Sequence, residues 1–321
     1  MHLVRRSLLL AAALALTPLS LHAAEKPKVV ASFSILGDMV REVAGDEVEL
    51  TVLVGPNGDA HSYEPTPQDA KALGAADVLV MNGFGFEAFM PRLVSASGFA
   101  GRTITATDGV TPRAFEGEEE EHEAAEAEHD HDHEEAEAGH HHHHGVNDPH
   151  AWQNLGNGVI YVRNIVAGLS AADPDHAADY KAKGDAYIAK IEVLDQRLKT
   201  SFAAIPEARR RIVTSHDAFG YFGDAYGVTF IAPQGVSTEA EASAADVAAI
   251  IRQIREENIQ AVFVENITDP RLIEQIARET GIQSGGELYS DALSDASGPA
   301  ATYLAMFENN AAALLGALNT N

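Results

Sequence analysis

The sequence contains no cysteine in its 321 residues. Without a thiol there is no disulfide, no thiolate metal site and no lipid anchor on an N-terminal cysteine. Any metal that the protein binds must therefore be held by nitrogen and oxygen atoms. We accordingly expect the mature protein to be soluble and not lipid-anchored.

Basic residues are also scarce. The chain has 22 Lys and Arg against 48 Asp and Glu, which gives a formal net charge of −26. Half of this excess is local, because residues 116–137 contain 13 acids and no Lys or Arg. Binding to the phosphates of nucleic acid requires clustered Lys and Arg, so nucleic acid is excluded as a partner.

The N-terminal apolar run, residues 8–16, is too short to span a membrane. Polar residues and a proline interrupt it from Thr17 onward, well before the roughly 20 apolar residues that a spanning helix needs. Arg5-Arg6 precede the run, and a small-residue pattern at 21–23 follows it, as is typical of a secretory signal peptide. We predict a cleaved signal peptide over residues 1–23 and export to the periplasm.

Short hydrophobic runs alternate with helical patterns along the remaining chain, which predicts an α/β fold. A helical pattern from 174 to about 202 would span ~40 Å, long enough to join two lobes. We therefore predict two similar α/β lobes, residues 24–173 and 205–321, joined by one long rigid helix at 174–204. Strands are predicted at 29–33, 48–54, 77–82, 211–215, 228–231 and 261–264.

A segment of low hydrophobicity, residues 114–147, interrupts the first lobe. Its composition predicts disorder in the absence of a ligand. Imidazoles among carboxylates bind divalent ions weakly and without fixed geometry, so we favour a metal-gathering or sensing loop over a linker without function. Its internal position argues against an affinity tag. The auxiliary weak metal ligands would be His122, His129, His131, His133, His140, His141, His142, His143 and His144.

Three further histidines occupy equivalent positions. His61 lies in a loop that leaves a predicted strand, His150 precedes a helical region, and His216 ends the strand at 212–215. Ligands of open α/β sheets bind at the carboxyl ends of strands, so this placement lets the three histidines converge. Imidazole suits zinc, copper, iron and nickel, so the sequence predicts a transition-metal site.

A carboxylate would complete a tetrahedral zinc site. Asp291 follows the last predicted strand and is our choice of fourth ligand. Glu265 and Asp59 are the alternative candidates for the fourth ligand. Each is equally suited to orient a ligand imidazole without contacting the metal.

A zinc hydrolase is the main enzymatic alternative, because three histidines also hold catalytic zinc when a water takes the fourth position. The sequence has no His-Glu-x-x-His motif, no Gly-x-Ser-x-Gly motif and no phosphate-binding Gly-x-x-x-x-Gly-Lys loop. The adjacent Ser215-His216-Asp217 is poor support for a catalytic triad, since a triad is a spatial arrangement. We therefore predict a protein that is not an enzyme.

Several stretches together resemble the zinc-specific periplasmic solute-binding proteins of ABC transporters, a group that includes manganese-binding relatives. The resemblance runs from about residue 28 to the C-terminus. The stretches that carry it are Gly55-Pro56-Asn57-Gly58-Asp59-Ala60-His61-Ser62-Tyr63-Glu64-Pro65, Asn82-Gly83-Phe84-Gly85-Phe86-Glu87, Asp148-Pro149-His150-Ala151-Trp152, Ser215-His216-Asp217-Ala218-Phe219-Gly220 and Tyr289-Ser290-Asp291-Ala292-Leu293.

This resemblance implies two lobes joined by one long helix, with metal held between them by His61, His150, His216 and Asp291. Manganese-binding members carry a glutamate where His216 stands, so the histidine favours zinc. The histidine-rich insertion also resembles that of the zinc-binding members. Some members have a disulfide in the second lobe, which this chain cannot form.

We predict from these features a carrier that captures Zn²⁺ as its transported ligand and delivers it to a cognate membrane permease. We expect a monomer, with a periplasmic metal donor protein as a second partner. Release would require lobe movement or displacement of the loop that carries Asp291. A manganese or iron carrier of the same fold, and an adhesin-like or metal-chaperone role, remain alternatives.

Overall fold

The computed structural model describes residues 25–114, 147–240, 242–257 and 259–319. The predicted signal peptide and residues 115–146 of the histidine-rich insertion, with all of its predicted weak metal ligands, lie outside these residues. No helix in the described segments is both long and apolar enough to cross a membrane.

Two parallel four-stranded sheets form the centre of the fold, in the orders β2-β1-β3-β4 and β6-β5-β7-β8. The same order in both sheets confirms the prediction of two similar α/β lobes. The strands of the first sheet are β1 Lys28–Phe33, β2 Glu49–Val54, β3 Val78–Met81 and β4 Arg102–Thr105. Those of the second are β5 Arg211–Val213, β6 Thr229–Ile231, β7 Ala261–Glu265 and β8 Ser284–Leu288.

Helices connect the strands, as parallel pairing requires. The helices before the linking helix are α1 Ser34–Ala44, α2 Pro67–Gly74, α3 Met90–Ser97 and α4 Leu155–Ala172. Those after it are α6 Gly220–Tyr226, α7 Ala244–Glu257, α8 Arg271–Thr280 and α9 Tyr303–Asn319.

The linking helix α5, Ala177–Ala203, has 27 residues, which at 1.5 Å per residue gives a length of about 40 Å. It packs against α1 and α4 on one side of the molecule and against α6 and α9 on the other. Its buried residues include Tyr180, Tyr187 and Ile191. The long connecting helix expected from the sequence is therefore present and is anchored in both lobes.

One continuous hydrophobic core extends from the first sheet across the lobe interface to the second sheet. Trp152, Phe222 and Phe307 are among its fully buried side chains. A smaller cluster in the second lobe packs Val213 and Val262 against isoleucines of α7 and α8. The lobes are thus packed against each other through apolar side chains.

Candidate metal centre

His61 lies in the loop between β2 and α2, at the carboxyl end of the first sheet. Its backbone N–H donates to Asp59 Oδ1 at 2.9 Å, and Ser62 Oγ donates to Asp59 Oδ2 at 2.7 Å. Asp59 therefore caps a tight turn, a role for which its short side chain is suited. The ring of Phe86 lies edge-on against the imidazole of His61, with 4.9 Å between centroids.

His150 precedes a short 3-10 helix, Ala151–Gln153. Its backbone N–H donates to Asp148 Oδ1 at 2.9 Å, and its Nδ1 lies 2.8 Å from the same oxygen. This contact leaves Nε2 as the free nitrogen that points into the centre. The only tryptophan of the chain, Trp152, lies with its ring centroid 5.2 Å from that of His150.

His216 follows β5, and Glu265 ends the neighbouring strand β7. Glu265 Oε1 accepts the backbone N–H of His216 at 2.9 Å, and its Oε2 lies 2.6 Å from His216 Nδ1. The pair stands between β5 and β7, where the strand order of this sheet reverses. Ligands of open α/β sheets characteristically bind at such a switch point.

Asp291 lies shortly after β8 and is completely buried. The carbonyl of the preceding residue, Ser290, accepts hydrogen bonds from Trp152 Nε1 at 2.9 Å and from Gln153 Nε2 at 2.6 Å. Both donors belong to the first lobe, immediately after His150. The second-lobe carboxylate is therefore held directly opposite the first-lobe histidine.

The structure brings His61, His150, His216 and Asp291 together, with one nitrogen or oxygen atom of each within 4.8 Å of the others. Asp291 Oδ2 lies 3.1 Å from His61 Nε2 and 3.3 Å from His216 Nε2. Asp291 Oδ1 lies 3.6 Å from His150 Nε2, and the Nε2 atoms of His61 and His150 are 3.3 Å apart. Atoms bound to zinc at about 2.0–2.1 Å in a tetrahedron are separated by ~3.3–3.4 Å.

Unsatisfied polar atoms mark the same place. Among the described residues, both carboxylate oxygens of Asp291 and Nε2 of His216 are buried without an aligned hydrogen-bond partner. Buried polar atoms are paired in the great majority of cases, so this group is suited to a cation. The donor set of three imidazoles and one carboxylate fits a transition metal.

The metal-free centre retains protons. Burial lowers the pKa of His150, but the charge of Asp291 and the hydrogen bond to Asp148 outweigh burial and raise it to about 9. Burial likewise opposes the charged form of His216, yet Glu265 and Asp291 raise its pKa well above the usual value. Burial raises the pKa of Asp291, but the two imidazolium groups lower it by more. The resulting pKa lies well below the usual range.

The two competing carboxylates occupy different places from Asp291. Glu265 lies behind His216 and contacts its Nδ1 rather than the centre. Asp59 contacts the backbone of His61 and not its ring. The histidines of the insertion lie outside the described residues.

Asp148 is not among the site residues predicted above, although the sequence carries a signal for it. Asp59-Ala60-His61 and Asp148-Pro149-His150 share the spacing Asp-x-His, and in both the aspartate accepts the backbone N–H of the histidine at 2.9 Å. In Asp148 the same oxygen also reaches the imidazole. The repeated spacing therefore marks the turns that present two of the three histidines.

The chain is similar to known metal-binding proteins of ABC transporters. Residues 29–317 match the family described as ZnuA, zinc-uptake complex component A, periplasmic. The iron ABC transporter substrate-binding lipoprotein MtsA of Streptococcus pyogenes serotype M1 is 34% identical over 292 residues, 89% of this chain and 87% of MtsA. The manganese ABC transporter substrate-binding lipoprotein PsaA of Streptococcus pneumoniae is 31% identical over 301 residues, 92% of this chain and 90% of PsaA.

Solved structures show the same fold. The periplasmic zinc-binding protein TroA of Treponema pallidum superposes with a TM-score of 0.80 at 28% identity, covering 92% of this chain and all of TroA. The Mn-bound periplasmic metal-binding protein of Candidatus Liberibacter asiaticus gives a TM-score of 0.76 at 29% identity, covering 91% of this chain and all of that protein.

The fold and the site together define the metal-binding, substrate-binding component of an ABC transporter. The chain belongs to the ZnuA family. Proteins of this class bind and deliver their substrate to a membrane permease and its ATPase and do not convert it, which excludes the zinc hydrolase alternative.

The prediction that the mature protein is not lipid-anchored is wrong. MtsA, PsaA and the Streptococcus sanguinis relative SsaB are all named lipoproteins, so membrane anchoring is a property of its relatives. The absence of cysteine excludes only an anchor attached to a cysteine within these residues. It does not show that the protein is unanchored. An exported location is consistent with the same relatives.

Proposed function

We propose that this protein captures Zn²⁺ at His61, His150, His216 and Asp291 and delivers it to its permease. The observation that carries the proposal is the spacing of the ligand atoms, 3.1–3.6 Å, around one buried point. This spacing is close to the edge of a zinc tetrahedron, ~3.3–3.4 Å. Asp148 and Glu265 would orient two of the imidazoles and raise their basicity.

The identity of the third nitrogen ligand supports zinc over manganese. His216 is completely buried, and its Nδ1 is engaged by Glu265, so only Nε2 can reach a metal. Imidazole suits zinc, whereas manganese is bound preferentially by carboxylate, carbonyl and water oxygens. The resemblance noted above also implies a glutamate at this position in manganese-binding members.

A manganese or iron carrier is the second candidate. It is favoured by the names of the relatives, since MtsA is named an iron transporter component and PsaA a manganese one. Their similarity extends over most of the chain, so it does not separate the metals.

Calorimetric titration of the metal-stripped chain with Zn²⁺ and with Mn²⁺ tests the two candidates. A zinc carrier has one tight zinc site and binds manganese far more weakly. His216→Glu is the matched variant, because it replaces the imidazole by a carboxylate of similar reach, and we expect it to weaken zinc and improve manganese binding. Equal or tighter manganese binding by the unmodified chain would establish the second candidate instead.

We further propose that the histidine-rich insertion adds weak sites. It holds four histidines set among acids and the uninterrupted run at 140–144, a composition that attracts divalent ions without a fixed coordination geometry. Deletion of residues 116–144 should lower the zinc stoichiometry and leave the tight site intact. Loss of the tight site in this deletion would contradict the division into strong and weak sites.

A further inference from the structure

The route by which metal enters and leaves the centre is constrained by how the lobes are joined. Asp38 of the first lobe accepts the backbone N–H of Tyr303 at 2.8 Å, and the hydroxyl of Tyr303 donates to the carbonyl of Trp152 at 2.6 Å. These bonds lie within the continuous apolar core that crosses the interface. Wide separation of the lobes would break all of them together.

The segment that carries Asp291 is also fixed on both sides. Ser290 is bound by two first-lobe side chains, as described above. Leu293 donates its N–H to Ser34 Oγ at 2.9 Å and accepts the N–H of Asn57 at 2.9 Å. Displacement of this segment would therefore cost several buried hydrogen bonds, which argues against it as the moving part.

The remaining approach is at His61. It is 7% exposed, whereas His150, His216 and Asp291 are completely buried. A cavity of about 240 Å³ opens beside it in the described part of the chain. The residues that line this cavity include His61, Phe84, Phe86, Pro149, Val236 and Glu239.

Residues 234–240, here called the strap, form one wall of this cavity. The strap begins at the bridge between His216 and Gln234 and at the hydrogen bond from Asp217 N to Gly235 O, 3.1 Å. Beyond these contacts it separates two cavities, since Val236 lines the one at His61 and Thr238 lines a second of about 440 Å³. No residue of the strap is buried, so little packing holds it in place.

Among the described residues, one hydrogen bond ties the strap to the first lobe beside the site. Thr238 Oγ1 donates to Asp59 Oδ2 at 2.6 Å, and Asp59 Oδ1 accepts the backbone N–H of His61. The bond is short and has an ionisable acceptor, both features of a strong hydrogen bond. It connects the strap directly to the turn that presents the most exposed of the four ligands.

We propose that Thr238 is a positioning residue for metal exchange, and that its hydrogen bond to Asp59 latches the strap over His61. Metal would enter and leave past His61 when this latch opens, while the lobes and the Asp291 segment stay in place. The proposal rests on the proposed role of the four residues as the metal site. It deepens that role by assigning the step that controls the rate of exchange.

Two hydroxyls that reach the same oxygen provide a matched test. Thr238 and Ser62 both donate to Asp59 Oδ2, at 2.6 and 2.7 Å, but only Thr238 crosses between the lobes. We expect Thr238→Val to raise the rate constants of metal binding and release by about tenfold each, with Kd changed less than about threefold. Ser62→Ala should change each rate constant by less than about twofold.

Stopped-flow fluorescence of Trp152, which lies beside His150, measures both rate constants, with a chelator in excess for release. Zn²⁺ and Mn²⁺ are both used, so the test does not depend on which metal is the natural substrate. Equal rates in the two variants would overturn the latch. A higher Kd without faster binding would also overturn it, because that result indicates only a misplaced ligand.

Amide hydrogen exchange of the strap in the metal-free chain gives a reading that is independent of metal binding. Exchange over residues 234–240 should be faster in Thr238→Val than in Ser62→Ala. Equal exchange in both variants contradicts the latch even if the proposed metal site is correct. Faster exchange of the strap in Thr238→Val, together with no tight metal binding by the unmodified chain, would instead contradict the proposed function alone.

Discussion

Asp148 Oδ1 lies 2.8 Å from Nδ1 of His150 and also accepts the backbone N–H of that residue at 2.9 Å. One carboxylate oxygen thus fixes both the turn and the imidazole. Glu265 contacts His216 similarly but with two oxygens: Oε1 accepts the backbone N–H, and Oε2 lies beside Nδ1. The two completely buried histidines therefore face the centre with Nε2, and each has a carboxylate behind it.

Asp148→Asn should weaken zinc binding about 10- to 100-fold, because the amide keeps the shape but removes the charge that supports the imidazole. Competition with a chromogenic chelator at fixed pH measures the change. Glu265→Gln is the parallel variant for His216 and should give a loss of similar size. An unchanged affinity in both would show that these carboxylates do not tune the ligands.

Metal affinity should rise with pH and binding should release protons. The pKa of His150 is raised to about 9 and that of His216 well above the usual value, so both imidazoles are protonated in the metal-free chain at pH 7. A metal binds only the neutral imidazole, so it must displace these protons. The affinity therefore increases with pH up to the raised pKa values, about 9 for His150.

Calorimetry in two buffers of different ionisation enthalpy counts the protons released at pH 7. We expect more than one proton per zinc. His216→Ala should release fewer protons than the unmodified chain, because one of the two raised groups is gone. Binding with no proton release would contradict the protonated state of the metal-free centre.

Local features of the fold are predictable from sequence because they depend on neighbouring residues. Thr66 followed by Pro67 is a typical helix start, and Thr66 does cap α2, with Asp69 Oδ2 accepting the N–H of Thr66 at 2.7 Å. Ser243 and Asp246 have the spacing of a capping box, and they form one at the start of α7. The three histidines are likewise found from local pattern, because each follows a recognisable strand or turn.

Relationships across the fold are not predictable in this way. Thr238 and Asp59 are 179 positions apart, and nothing in either local sequence indicates their hydrogen bond. Strand β4, Arg102–Thr105, has only one buried residue and no hydrophobic run, so its sequence does not distinguish it from a loop. It is a strand because it pairs with β3, which is a tertiary contact.

Asp38 makes the stability of the chain depend on pH. Burial is the main cause that raises its pKa, to about 6, from 3.8. Because the folded state binds this proton more tightly than the unfolded state, the contribution of Asp38 to stability is present below about pH 4 and is lost as pH rises through about 6. Asp38→Asn removes the ionisation and keeps an oxygen that accepts the N–H of Tyr303.

Chemical denaturation of the metal-free chain at pH 4 and pH 7 measures this effect. Asp38→Asn should be more stable than the unmodified chain at pH 7 by on the order of 2 kcal/mol, with a smaller difference at pH 4. Asp46→Asn, at an exposed position, controls for the loss of one negative charge. A difference for Asp38→Asn that is the same at both pH values would contradict the raised pKa.

Asn310 of α9 pairs with the backbone of Tyr289 in the way that a neighbouring strand would. Tyr289 lies two positions before Asp291. Asn310 Oδ1 accepts the N–H of Tyr289 at 2.9 Å, and Asn310 Nδ2 donates to the carbonyl of Tyr289 at 2.7 Å. Asn310→Leu, similar in size, leaves two buried backbone groups unpaired at about 1–3 kcal/mol each, so the free energy of unfolding should fall by about 2–6 kcal/mol.

Displacement of Tyr289 should also move Asp291 and weaken zinc binding. Asn310→Asp is the matched variant of the same shape, because it retains the acceptor for Tyr289 N–H but buries a negative charge against the Tyr289 carbonyl. Its loss of stability should therefore grow from pH 4 to pH 7, whereas that of Asn310→Leu should not. Denaturant unfolding of the metal-free chain and zinc affinity are measured in both. If Asn310→Leu lowers stability but leaves zinc affinity unchanged, Asn310 supports the lobe and does not position the carboxylate.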